Sequence, residues 1–449
     1  MRGENGRKEP VEGAPGGWLG RVALVRPGEG AALVWSASWV FLLMASYFIL
    51  RPVRESFGVE RGADDLPALI TATLVVMTLS QPVFGWVVSR LPRRRFIPLV
   101  YRFFGLNLLA FFALFHALPD GAARLWLGYG FYVWLSVFNL FVVSVFWGFM
   151  ADVWTPEQGR RLFGFIGVGA TLGVIAGSWF TSALADDIGR VNLMLVSLVL
   201  LEASVWAMVG AARRFGVRAE RGAKPDLSPG AMDGLRQVFA SPYLLAISAY
   251  MLCFTVCSTF LYLKVGEVVS AEITDRNARV AYYADLRLWE NVLTLLTQVF
   301  LTARIIRAVG VGPALTAVPL VTIAGFFVLG RAEAWGLPML STVFVFSVAR
   351  GWTNYAVSKP SKEMLFSIVS RDEKYKAKPF IDTFVYRGGD ALGAWAPRWL
   401  ASAGVALWGG AAAVGAIGLG LGLALGLMRE RRGRTVADGG SAPSEPLGV

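Results

Sequence analysis

The chain has 449 residues, 55% hydrophobic and only 16% charged, with a mean hydropathy of +0.54; a soluble domain carries roughly 25% charged residues. Apolar runs of about 20 residues recur along it, the length that crosses a hydrocarbon layer of ~30 Å. These features exclude a single water-soluble core and identify a polytopic α-helical membrane protein, whose net charge of +12 has to be explained by topology or by an anionic partner.

Residues 1–30 are polar and Gly-rich and lack the short apolar core of a cleaved signal peptide, so they read as a disordered cytoplasmic tail. Twelve apolar segments follow, at 31–50, 66–89, 96–118, 125–150, 162–184 and 191–212, then at 243–265, 284–309, 313–331, 337–357, 380–401 and 403–428. The polar stretch between the two sets carries Arg213, Arg214, Arg218, Arg221, Lys224 and Arg236. The domain plan is therefore a bundle at 31–212, a cytoplasmic linker at 213–242, a bundle at 243–428 and a second disordered tail at 429–449. With both termini inside, 29 of the 43 Lys and Arg fall on the cytoplasmic side and 11 outside, while Arg102, Arg350 and Arg387 lie within segments. That excess obeys the positive-inside rule. It accounts for the +12 without a nucleic-acid partner and places the chain in the cell inner (plasma) membrane. A monomer in the lipid bilayer is expected.

The first segment runs on as SYFILRPVRESFGV from Ser46. Pro52 removes a helix hydrogen bond, which a membrane helix tolerates beside a cavity. Two readings stand for the flanking Arg51 and Arg54. Either they snorkel from a helix end, or a helix broken at Pro52 points them into a central pathway. Arg102 is six residues into its run, and Glu202 is central in the sixth segment. Gly169, Gly173 and Gly177, four apart on the fifth, make either a close-packing face or a surface that slides.

Cys253 and Cys257 share one helix face and read as free packed thiols. The single histidine, His116, cannot build an HExxH zinc site, and no lysine sits in a GxxxxGK[ST] loop. The chain is thus read as no enzyme, with no cofactor and no ATPase of its own. Glu290 lies early in the eighth segment and could carry a proton or pair with an arginine.

The richest stretch is 347–393. Arg350 lies 13 residues past Leu337, about 20 Å down a helix rising 1.5 Å per residue, too deep for easy snorkelling. Arg387 is about 10 Å past Phe380, and Asp390 is one turn further, a neighbour on the same face. Asp390 is either a structural partner of Arg387 or a coupling group. Lys359 and Lys362 lead a basic connection between the two runs that ends at Lys378. Ionisable groups at membrane depth are costly and mark function by default. Cations outnumber carboxylates along this path, and arginine's planar fork suits phosphate oxygens, so the expected ligand is a small anion. The candidate substrate-binding residues are Arg51, Arg54, Arg102, Arg350, Lys359, Lys362 and Arg387. The candidate coupling or ion-pair residues are Asp390, Glu202 and Glu290.

Segment four carries FVVSV at Phe141 and segment ten FVFSV at Phe344, at equivalent places of a six-plus-six plan. With the basic linker, and with the basic turn GWVVSRLPRRR from Gly85, this resembles the major facilitator superfamily. The expected fold is an all-α membrane protein of twelve transmembrane helices arranged as two six-helix bundles of that type. Within it the chain, from about residue 31 to 428, resembles the ATP/ADP translocase family of plastids and intracellular bacteria. The resemblance is carried by YFILRPVRE at Tyr47, by FVVSVFWGFMADVWTPEQGRRLFGFIGVGATLG at Phe141, and by KPSKEM and EKYKAKPFID at Lys359 and Glu373. Arg54 and Glu55 stand where the family has lysine and aspartate, and Pro360, Lys362, Glu363 and Met364 match its proline-x-lysine-glutamate-methionine. Lys374, Lys376, Lys378, Ile381 and Asp382 match its lysine-rich approach to helix eleven. The resemblance departs at Asp390, where the family carries a phosphate-binding lysine. It implies a secondary transporter exchanging ATP, ADP or a related phosphorylated anion by alternating access. A proton-coupled carrier or exporter of another solute, and a non-transporting membrane scaffold, are the alternatives.

Overall fold

Helix α1, Gly30–Gly58, is the axis of the first half in the computed structural model, which describes residues 25–26, 28–90, 93–215, 231–369, 377–378 and 380–437. It runs unbroken through Pro52, so of the two readings of the first segment the broken helix does not hold. The proline withdraws one N–H, and the turns around it are clamped by the buried Leu50, Val53 and Phe57. α2 (Leu66–Arg90), α3 (Arg93–Ala117), α4 (Ala122–Val153), α5 (Pro156–Ile188) and α6 (Leu193–Phe215) follow. Trp39, Tyr101, Phe146 and Phe149 centre their shared core, with Phe146 edge-on to Trp39 at 4.8 Å. α5 opens on a capping box, in which the Gln158 N–H donates to Thr155 Oγ1 and the Thr155 N–H to Gln158 Oε1. Glu29 ties the start of α1 to that cap by accepting from Arg161 and Gln158, both at 2.9 Å.

The glycine ladder of α5 meets α1 backbone to backbone. Gly169, Gly173 and Gly177 face Ala37, Phe41 and Ala45, so the two helices share a four-residue register. A Cβ at Gly177 would lie 2.5 Å from the Ala45 carbonyl oxygen, and one at Gly173 closer still to that of Phe41. The glycines are close-packing residues here. Gly173→Val is expected to lower the melting temperature by several degrees, since overpacking costs about 1–3 kcal/mol. Gly167→Ala, on the same helix with open space before it, should leave it unchanged.

The second half holds α7 (Ala231–Ala240), α8 (Pro242–Glu272), α9 (Arg276–Phe300), α10 (Thr302–Val309), α11 (Val311–Arg331), α12 (Met339–Thr353), α13 (Lys359–Leu365), α14 (Tyr386–Ser402) and α15 (Leu407–Ala437). α9 and α10 meet at 65°. The break is stabilised by Thr302, whose hydroxyl donates to the carbonyls of Thr297 and Ala356. α12 passes into α13 through a π-helical turn, Asn354–Ser358, and a second π turn, Ile381–Val385, leads into α14. Such turns insert one residue into the helix and recur at functional sites. Cys253 and Cys257 are free thiols, Cys257 buried.

Among the described residues eight helices are long and apolar enough to cross a membrane, and the bent pair α9–α10 makes a ninth. The other expected segments coincide with α2, apolar over Leu66–Gln81, and with the two helices carrying π turns. The chain is thus a multi-pass, all-helical membrane protein. The expected disordered tail from 429 is corrected in part. α15 continues to Ala437, held by Arg429 donating to the Met364 carbonyl and Arg432 to Ser241. Residues 1–24, 216–230 and 438–449, most of the basic connection after Val369, and the side chains of the basic turn after α2 lie outside the described residues.

Candidate functional site

A cavity of about 510 Å³ lies between the two halves, lined from α1, α2 and α4 on one side and from α8, α9, α12 and α14 on the other. Arg51, Arg54, Arg287, Arg350 and Arg387 line it against Glu55, Glu290 and Asp390, five cations to three carboxylates.

The arginines are held differently. Arg54 donates from Nε to the Tyr132 carbonyl at 3.1 Å, lies 3.4 Å from Glu55, and stacks 3.9 Å above the Tyr132 ring. Glu55 is only 3% exposed and accepts from the Tyr262 hydroxyl, which in turn meets that of Tyr132 at 2.8 Å. Arg287 donates to Glu290 at 2.7 Å, and Gly351 leaves room for that carboxylate, since a Cβ there would overlap it. Arg387 sits 3.4 Å from Asp390, which also accepts from Thr259 at 3.4 Å. Both contacts are long for charge-assisted bonds.

Arg350 and Arg51 have no carboxylate partner among the described residues. Arg350, 6% exposed, donates to the Thr322 hydroxyl at 2.9 Å and the Phe254 carbonyl at 3.1 Å, with the Phe254 ring 5.1 Å away. Arg51 lies 5.3 Å from the Phe48 ring, and its buried Nε meets no acceptor. Thr73 Oγ1, Ser347 Oγ and Asn354 Oδ1 are also buried, unpaired and on this cavity wall. Buried polar atoms are rarely left unpaired, so this wall is built for polar occupants. Eight aromatic side chains, among them Tyr47, Phe48, Tyr355 and Tyr386, line the remainder.

The structure therefore brings Arg51, Arg54, Arg350, Arg387, Asp390 and Glu290 together. Lys359 and Lys362 stand behind the wall, 5.4 Å from the Tyr355 ring and 4.1 Å from that of Phe254, rather than on it. Arg102 and Glu202 are elsewhere. They form a 2.7 Å ion pair between α3 and α6 on the exposed flank, so each neutralises the other and neither meets the cavity. Sequence reasoning missed Arg287, because α9 begins at Arg276, ahead of the expected start at 284, and its polar first turns masked about 16 Å of helix before Arg287. The Arg287-x-x-Glu290 spacing was the available signal.

Polar ties between the halves gather at the Gly58 end of α1. Ser56 donates to the Arg276 carbonyl and Arg279 to that of Val59. Glu60, paired with Arg190 within the first half, also accepts from Arg276 of the second at 2.7 Å, and Trp395 donates to Thr71.

No protein-family profile matches the chain. It is similar to ADP,ATP carrier protein 1 of Chlamydia muridarum, 26% identical over 308 residues, which are 60% of this chain and 58% of that protein. It is 24% identical to ADP,ATP carrier protein 1 of Chlamydia pneumoniae over 310 residues, 60% of each. It is 22% identical to the chloroplastic ADP,ATP carrier protein 2 of Arabidopsis thaliana over 305 residues, 62% of this chain and 49% of that one. The chain thus spans about half to three-fifths of the length of these curated relatives, which agree with the resemblance carried by its motifs. Among solved structures it superposes on the nucleoside transporter NupG (TM-score 0.59, 10% identity, 90% of this chain and 99% of that one). It superposes equally on a peptide transporter POT in complex with sulfate (0.60, 15%, 90% and 95%) and on a bacterial homologue of the iron transporter ferroportin (0.59, 11%, 90% and 98%). At these identities the likeness is one of fold: the chain is folded as these transporter structures are.

Proposed function

We propose that the chain is a secondary transporter that exchanges a nucleotide or related phosphorylated anion across the membrane by alternating access. One observation carries the reading: a cavity between the halves has an excess of two arginines over carboxylates, and two of its arginines lack a carboxylate partner among the described residues. Holding such charges away from water is costly, and a polyphosphate offers oxygens to several forks at once. In this reading Arg51, Arg350, Arg54 and Arg387 bind phosphate oxygens, and Lys359 and Lys362 add positive potential from behind the wall. The aromatic rings supply faces on which a base can stack. An unloaded site repels itself, so reorientation favours the loaded form, which is the logic of exchange. The names of the curated relatives support the substrate class.

The same reading makes residues 31–212 and 243–428 two six-helix bundles joined by 213–242, twelve spans in all, in the inner membrane with both termini cytoplasmic. Reporter fusions after Ser228 and after Asp275 should report cytoplasm and exterior respectively. Both on one side would refute the topology. The functional test is uptake of labelled ATP into proteoliposomes loaded with ADP. Uptake that ignores internal nucleotide but follows an imposed pH gradient would favour a proton-coupled carrier, for which Asp390 and Glu290 are the candidate groups on the cavity wall. No flux of any tested anion would leave a scaffold.

A further inference from the structure

Beyond the central cavity the halves close on an apolar plug. Val59 and Leu66 join Val265, Val268 and Val269 of α8 in one cluster. A Cβ on Gly266 would come within 2.7 Å of Leu66. Past this plug, after the end of α1, lies a second cavity of about 430 Å³ that the transport reading leaves unused. Its charged lining is Arg61, Arg124, Arg190 and Arg276 against Glu60 and Asp120, again an excess of two cations.

Both carboxylates are already shared. Glu60 accepts from Arg190 and Arg276, each at 2.7 Å, and Asp120 lies 3.3 Å from Arg276 and 3.4 Å from Arg124. Arg61 is exposed and has no hydrogen bond or ion pair among the described residues. Arg124 Nε is buried without an acceptor in hydrogen-bonding geometry. Burial pushes the pKa of Arg190 below its ordinary value, and the guanidiniums of Arg276 and Arg124 add to that push against Glu60. Crowded like charges lower the pKa of a cation in this way.

We propose that this vestibule is a second anion site, one that captures the phosphate groups of arriving substrate on Arg61, Arg124 and Arg276 before the central cavity opens to that face. The proposal rests on the transport reading above. Phosphate fits because its oxygens can bridge several guanidinium forks. A cleft lined by one sign of charge also concentrates its counter-ion. Arg276 gives the site a second consequence. It belongs to the second half and binds Glu60 and Asp120 of the first. A polyphosphate oxygen on Arg276 competes with both carboxylates and loosens the seam that has to part for the central cavity to open outward.

The test uses the full chain in phosphatidylcholine vesicles, with ATP offered from either face. Arg61→Glu removes the vestibule's excess charge at a side chain with no partner to lose. The KM for ATP from the vestibule face should rise about tenfold, with kcat nearly unchanged, and the rise should shrink as salt increases. The KM from the opposite face should not move. An equal shift on both faces, or none, overturns the proposal. Calorimetric titration of inorganic tripolyphosphate separates this from the transport reading. Arg350→Ala should keep a binding event that Arg61→Glu loses. If that pattern holds but no nucleotide crosses, the transport reading fails and the vestibule stands. If Arg61→Glu leaves the titration unaltered, the vestibule falls even where flux is intact. Loss of the event on adding phosphatidylglycerol would make this a lipid-headgroup site and overturn its role in substrate capture.

Discussion

Arg350→Ala is expected to reduce nucleotide exchange by roughly two orders of magnitude while the melting temperature stays close to that of the wild type. Arg350 carries two hydrogen bonds to neutral acceptors, Thr322 Oγ1 and the Phe254 carbonyl, and no ion pair among the described residues. Truncating it strands no buried charge, only two neutral acceptors, of which the Phe254 carbonyl belongs to a residue of the cavity wall. A phosphate bound there would instead lose charge-assisted hydrogen bonds of about 1.5–3 kcal/mol each, and each 1.4 kcal/mol is tenfold. Arg350→Lys should recover part of the loss, because an ammonium keeps the charge but not the fork. Arg287→Ala supplies the contrast. It leaves Glu290, 2% exposed, as an unpaired buried carboxylate, a change that costs about 3–5 kcal/mol when the pair is fully buried. Its melting temperature should drop. Exchange assays and melts on the three proteins decide the matter. A fall in stability for Arg350→Ala proportionate to its loss of flux would make that arginine structural and remove it from the substrate site.

What could be read in the sequence follows from length scales. A run of 20 apolar residues is visible to counting, and so is an arginine 13 residues inside one, which is why the membrane class and Arg350 were both legible. A side chain's direction around the helix is not visible to the same counting. Arg102 and Arg350 both lie inside apolar runs, yet Arg102 faces the flank beside Glu202 and Arg350 faces the cavity. The partner that separates them is 100 residues away and only folding brings it near. The π turn at Asn354–Ser358 was hidden for a related reason. It arises where tertiary contacts absorb an extra residue, and Thr302 binding the Ala356 carbonyl is one such contact. Pro52 shows the converse. The local rule predicts a break, and packing on both sides of the turn overrides it.

Asp390 divides the transport readings most sharply, and its expected behaviour follows from where α14 is held. Gly389 and Gly393 leave no room for a Cβ against Thr255 and the Val256 backbone of α8. The helices therefore touch there, and Asp390 is fixed beside Thr259 with Arg387 one turn before it. Its carboxylate accepts from Arg387 and from Thr259, each at 3.4 Å, and both contacts are too long to be strong. Asp390→Lys converts the cavity excess from two to four positive charges and sets two cations one turn apart, where like charges repel. A bound polyphosphate relieves that repulsion. The variant should gain about tenfold in ATP affinity, or ~1.4 kcal/mol, and the gain should decline as salt is raised. Asp390→Asn should give a smaller gain of the same sign, with the pH profile of exchange kept. A proton-carrying carboxylate makes the opposite set of changes. Asp390→Asn would then flatten the pH profile, and Asp390→Lys would stop flux without tightening nucleotide. Titrations of ATP against the three proteins at low and high salt, paired with exchange rates across pH, distinguish the two. Wild-type exchange that survives Asp390→Asn unchanged, with no response of affinity to lysine, would show that the carboxylate neither tempers the site nor couples it.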